Sequence, residues 1–307
     1  MKHATLLAAA LAAAVALPAA AQQRVSIGTG GTGGLFYVIG AGMADLITEH
    51  MEGTTARAEV TGASVENIRR TAAGELEMGF SSSSTLYEAA TGTGAFEGDP
   101  QPVAAMAYLY PAVLQIATTQ GTGITSMADL AGHRISMGPP GSNAAVLAER
   151  LLQAYGVYDE NNAQYLSYSE GVDALTNGTV DAAVVLAGAP VAALIDLDAR
   201  ADMVLLGVDE ASVAGMVQEY PFYQLYTIPA GTYPDVTGDT LVINDPATIF
   251  TRQDADPALV QGMMAAVFDH LDQLSQVHGV ARLISPETAV NVPIPLHPGA
   301  DAYFAAQ

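Results

Sequence analysis

Between residues 28 and 34 the chain carries glycine at five of seven positions, in Ile27-Gly28-Thr29-Gly30-Gly31-Thr32-Gly33-Gly34. So dense a run is neither strand interior nor helix, because glycine loses more conformational freedom than any other residue in either. A β-like run, 24–28, precedes it and an amphipathic stretch, 35–51, follows. The expected unit is strand, glycine loop, helix, with backbone N–H groups open to a close ligand and a helix N-terminus behind them. Gly28, Gly30 and Gly33, with Glu49 or Glu52 about 20 residues on, also fit the spacing of a dinucleotide fingerprint, which is a weak pattern alone. A tight turn with no ligand needs fewer glycines than this.

The same unit recurs along the chain. Strand 56–61 leads to helix 64–73, and strand 77–80 runs into Ser81-Ser82-Ser83-Ser84 and another helix. An apolar segment, 103–118, broken by Pro111, crosses into a second lobe. There a short helix 127–131 precedes strand 133–137, which enters helix 142–155 through Gly138-Pro139-Pro140-Gly141-Ser142-Asn143. Helix 171–176, strand 180–186, the loop Ala187-Gly188-Ala189-Pro190 and helix 191–198 follow, then strands 203–207 and 224–228. This alternation predicts an α/β fold with largely parallel sheets. The last of these strands is expected to return the chain to the first lobe. Crossings near 107–113 and 226–229 would form a hinge between one lobe of 22–110 plus 229–307 and another of 111–228. Ligands collect at the carboxyl ends of such strands, so the four Gly-, Ser- and Thr-rich loops face one cleft. Serines at a strand end can cap the next helix or donate to an anion.

Residues 1–21 read as a cleavable signal peptide: Lys2 at the start, an apolar run over 6–17 too short to span a bilayer with ease, Pro18, and Ala19-Ala20-Ala21 before the cut at Gln22. Export to the periplasm is the expectation, and it removes the nucleotide pool a dinucleotide site would need. The chain has no cysteine, so neither disulfide, thiolate chemistry nor a lipid anchor at the cleavage point is expected. Lys2 is the only lysine, and the exported part carries nine arginines against 32 acids, a formal charge of −23. That field repels nucleic acid and anionic membranes. An anionic ligand must then be met by an arginine, hydroxyls or backbone N–H groups.

Signals for catalysis are thin. The histidines at 50, 133, 270, 278 and 297 show no metal-ligand spacing, lysine-dependent acylation and Schiff-base chemistry have no lysine, and no Gly-x-Ser-x-Gly elbow occurs. No catalytic residue, metal or cofactor is expected.

With these pieces in place the chain resembles the TAXI family of TRAP-transporter solute-binding proteins. The resemblance rests on 27–37 (IGTGGTGGLFY), 129–142 (DLAGHRISMGPPGS), 171–190 (GVDALTNGTVDAAVVLAGAP), and 226–233 (YTIPAGTY) followed by the apolar 241–250. It departs at Leu35, in a place usually small and polar, at the serine run, which lacks a following acid, and at Ala189 in place of a glycine. The resemblance implies a two-lobe type II periplasmic-binding-protein fold with a hinge and an interlobe ligand cleft. It implies a monomer that closes on glutamate, a related amino acid or a dicarboxylate and hands it to TRAP membrane subunits. The residues expected at the ligand are Gly30, Gly31, Thr32, Gly33, Phe36, Tyr37, Ser82, Ser83 and Ser84 from one lobe, and Gly141, Ser142, Asn143, Ala189, Pro190 and Tyr226 from the other. A sensory module presenting ligand to a membrane receptor, and an exported enzyme on the same fold, are the alternatives.

Overall fold

Val25 and Ile27 are buried in the first strand, and beside them Gly28 has no room for a side chain: a Cβ there would lie 2.5 Å from Asn67 Oδ1. From this strand the computed structural model, which describes residues 22–32 and 34–307, builds outward. The expected leader 1–21 and Gly33 lie outside the described residues. The first lobe runs β1 (Gln23–Gly28), α1 (Leu35–His50), β2 (Thr54–Glu59), α2 (Ser64–Ala72), β3 (Met78–Ser82), α3 (Ser83–Thr91) and β4 (Val103–Tyr110). After Pro111 the chain enters the second lobe through β5 (Val113–Thr119), β6 (Ile135–Ser136), α4 (Asn143–Ala154), β7 (Ala163–Gln164) and α5 (Tyr168–Thr176). That lobe continues with β8 (Ala182–Ala187), α6 (Ala192–Arg200), β9 (Met203–Leu206), α7 (Glu210–Glu219), β10 (Gln224–Ile228) and β11 (Thr240–Asn244). The return to the first lobe is β12 (Ala247–Arg252), then α8 (Pro257–Phe268), α9 (Leu271–Val277), α10 (Pro286–Ala289) and α11 (Pro298–Phe304).

Local chemistry starts these helices where they start. Ser142 caps α4 through Ala145 N, Ser167 and Glu170 form a capping box on α5, and Asp256 caps α8 ahead of Pro257. Ile39, Met43 and Ile47 of α1 share a core with Met263, Met264 and Val267 of α8, whereas Leu147 and Leu151 of α4 share one with Leu114 and Ile116 of β5 and Val184 of β8. Each such side chain contributes about 1.5–3 kcal/mol by leaving water. No helix of the described residues is long and apolar enough to cross a membrane.

The expected α/β fold of two lobes is what the chain adopts, with one sheet ordered β2-β1-β3-β12-β4 and the other β10-β11-β5-β8-β6-β7, with β9 on β5. Two expectations are corrected. The sheets are mixed rather than largely parallel: β12 is antiparallel to β3 and β4, and β5 to β8, β9 and β11. The cause is the double crossing, since a strand leaving a lobe and one returning beside it run in opposite directions. The return, moreover, is not at 226–229. There β10 turns back and pairs antiparallel with β11 from Gln224↔Asn244 to Ile228↔Thr240, which keeps the chain in the second sheet until Asp245 and Pro246.

Candidate functional site

The glycine loop after β1 is held from below by one buried amide. Asn67, on α2 and wholly buried, donates through Nδ2 to Thr29 O at 2.7 Å and Phe80 O at 2.8 Å, which joins the ends of β1 and β3. The Thr61 hydroxyl stands 2.6 Å from Asn67 Oδ1, and Thr29 donates through its own hydroxyl to Glu59 O at 2.6 Å. Above this base Gly30 packs against Ala63 and Phe36, and Gly34 N closes a turn on Gly31 O at 2.8 Å. The N–H groups of Gly30, Gly31 and Thr32 donate to no acceptor among the described residues, and Gly31 and Thr32 are exposed. Phe36 is partly buried against the first-lobe core and lies on the Phe80 ring, centroids 5.4 Å apart. Tyr37 is half-buried on the same turn.

A second N-terminus joins the loop that the sequence alone did not single out. Ala63, just before α2, takes φ +66°, ψ −145°, a conformation open almost only to glycine, and the next residue, Ser64, accepts a hydrogen bond from Ser82 N at 3.1 Å. Along the serine run the hydroxyls divide. Ser81 donates to Ser82 O at 2.9 Å, and Ser84 donates to Asp245 Oδ2 at 2.5 Å while its N–H meets Oδ1 at 2.9 Å. The hydroxyls of Ser82 and Ser83 make no hydrogen bond among the described residues.

From the second lobe, Gly141 is exposed with φ +71° and Ser142 is engaged as the cap of α4. Asn143 reaches across to the first lobe: its Nδ2 donates to Ser84 Oγ at 3.1 Å and its Oδ1 accepts from Thr85 Oγ1 at 2.8 Å. Ser84 and Asn143, both expected at the ligand, are joined to each other across the lobes in this arrangement. The loop after β8 holds a cis Ala189–Pro190 bond and is braced by Tyr233, whose hydroxyl accepts from Val191 N at 3.0 Å and donates to Gln115 Oε1 at 2.5 Å. Gln115, wholly buried, donates in turn to Ala187 O at 3.2 Å. Pro190 is exposed, and Ala189 and Tyr226 pack on one apolar cluster with Val113, Ile228 and Val242.

The loops meet in two places. A Cβ on Gly188 would come within 3.2 Å of Leu35 Cδ1, so the start of α1 touches the β8 loop; the starts of α3 and α4 meet through Ser84 and Asn143. A cavity of about 460 Å³ also spans the lobes, lined by Ser83 and Tyr108 on one side and Phe222 and Gln224 on the other, with Asn291 among the residues closing it. Of the expected ligand residues only Ser83 lines it. Burial pushes the Tyr108 phenol up to about 12, so it is a neutral donor there at any physiological pH.

Seven of the nine arginines are engaged elsewhere, among them Arg150 with Glu88 at 2.7 Å, Arg134 with Asp181 at 2.7 Å and Arg70 with Glu59 at 2.7 Å. Among the described residues no arginine hydrogen-bonds to a cleft loop, which leaves N–H and hydroxyl groups as the donors.

The model of the NMT1-like family matches residues 27–307. Among solved structures, MatC from Rhodopseudomonas palustris with bound malate is 13% identical, with a TM-score of 0.58 over 92% of this chain and 97% of that one. XAC2383 from Xanthomonas citri bound to ATP is 11% identical, with a TM-score of 0.54 over 92% and 95%. A binding protein component of an ABC phosphonate transporter from Pseudomonas aeruginosa is 12% identical, with a TM-score of 0.51 over 86% and 80%. At these identities the shared property is the fold.

Proposed function

Since the chain belongs to the NMT1-like family and has the fold of periplasmic binding proteins, we propose that it is an extracytoplasmic solute receptor and not an enzyme. It captures a small carboxylate, glutamate or a related amino acid or dicarboxylate, in the periplasm and delivers it to the membrane subunits of a TRAP transporter. The observation that carries this reading is the set of uncommitted donors at the cleft: the N–H groups of Gly30, Gly31 and Thr32 and the hydroxyls of Ser82 and Ser83. Oriented neutral donors at helix starts suit an anion without needing a cation. The TAXI resemblance of the loop sequences narrows the class to carboxylates, and the malate in MatC is in keeping with it. Gly141, Ala189 and Pro190 close the cleft from the second lobe.

Closure follows from contacts made by ligand to both lobes at once, which shifts a two-state equilibrium by the differential affinity for the closed form. A micromolar ligand corresponds to about −8 kcal/mol. The test is a thermal-shift and calorimetric screen of the protein from Gln22 onward against amino acids, mono- and dicarboxylates and phosphonates. A carboxylate that raises the melting temperature through mass action supports the reading. The double variant S82A/S83A should then weaken that ligand about a hundredfold or more, since each lost hydrogen bond to a charged group costs about 1.5–3 kcal/mol. A shift with phosphonate alone, or none with any carboxylate, removes the ligand class. Turnover of a bound carboxylate by the purified protein removes the receptor reading.

A further inference from the structure

Asp245 stands in the returning crossing between β11 and β12, wholly buried, and no cation among the described residues neutralises it. Its N–H donates to Ala112 O in the outgoing crossing at 2.9 Å, so the two hinge segments are tied at this residue. Its carboxylate accepts from Ser84 N–H and Ser84 Oγ of the first lobe, and Asn143 Nδ2 of the second lies 3.4 Å from Oδ2. Thr85 holds the far end of the same Asn143 amide at 2.8 Å. Parting of α3 from α4 therefore breaks this cluster and lets water reach the carboxylate.

We propose that Asp245 is a proton-sensitive latch: its carboxyl positions α3 against α4 in the closed arrangement, and taking up a proton there moves the protein toward closure. Three neutral donors compensate an ionised carboxylate only in part when water is excluded. The other groups that bear on it add no positive charge. Glu88 on α3 raises its proton affinity and is itself paired with Arg150 on α4 at 2.7 Å, and Tyr223, ahead of β10, is a neutral phenol that burial pushes upward. A protonated Asp245 keeps the Ser84 N–H on one oxygen and becomes a donor to Ser84 Oγ through the other. In keeping with this geometry, burial pushes the Asp245 carboxyl up to about 6 from its ordinary 3.8. The form with the higher proton affinity is favoured as pH falls, so closure gains between pH values above 6 and about 4.

The absence of cysteine makes the test clean, because cysteines placed at exposed Glu52 and Glu160 are the only sites for spin labels. Distances between them, read by pulsed electron resonance without solute, report lobe closure whatever the ligand is, so this result stands apart from the solute screen. The closed-to-open ratio should rise about tenfold from pH 7.5 to pH 5.0. In D245N it should change less than twofold, and N143A, which removes an interlobe contact and one donor to the carboxylate, should favour the open form at pH 7.5 while its pH response stays at least as large as that of the wild type. A wild-type ratio that is the same at both pH values, a D245N protein that keeps the full response, or an N143A protein as closed as the wild type at pH 7.5 each overturns the proposal. If D245N does not fold, the wild-type pH response and the N143A comparison decide.

Discussion

Each lobe fixes one of its cleft loops with one wholly buried carboxamide, and the two do so differently. Asn67 binds the carbonyls of Thr29 and Phe80 itself, so a single side chain sets the β1 loop against the end of β3. Gln115 works through an intermediary: it holds Ala187 O directly but reaches Val191 only through the Tyr233 hydroxyl. Both braces are neutral and within a lobe, where geometry must not change. The buried acid, Asp245, is kept for the junction between lobes. A neutral amide has one protonation state and so one geometry, whereas a carboxyl has two.

The sharpest way to break this comparison is Asn67→Ala. It leaves two buried carbonyls without a donor and opens a cavity, so the folded state should lose about 3–4 kcal/mol, read by urea unfolding. Tyr233→Phe should lose less, about 2–3 kcal/mol, because Gln115 keeps Ala187 while the Val191 N–H and the buried Gln115 Oε1 each lose a partner. Equal losses would mean that the relay is as rigid as the direct brace. Smaller still, Ala63→Gly should raise stability by about 1 kcal/mol by relieving a backbone that only glycine adopts freely. A loss there would show that the alanine methyl against Gly30 contributes more than the strain costs.

The same contrast explains what could be seen in the sequence. The ends of β1, α1, α2 and α4 follow from glycine, serine and the 3.6-residue apolar period, all of which act within a few residues. The return crossing lies later than the expected 226–229 because Pro229, Gly231 and Pro234 fall in the bend of the β10–β11 hairpin, and nothing local marks which turn changes lobe. The pairing of β12 with β3 and β4 leaves no local mark, since it depends on partners far away along the chain. At the site, loop composition drew attention to Ser84 and Asn143, but their partner is 161 and 102 positions distant. One signal was present: an acid set between two apolar strands, in Leu241-Val242-Ile243-Asn244-Asp245-Pro246-Ala247, where a charge has no local reason to be.

The position of β12 between β3 and β4 of the first sheet governs the order in which the molecule can be completed. The second sheet is drawn from one continuous stretch, β5 to β11, whereas the first lacks an inner strand until Arg252 has been made. A chain emerging from its N-terminus can therefore finish the later lobe while the earlier one still exposes the facing edges of β3 and β4, and those edges are the surfaces most open to misassembly until the returning strand arrives.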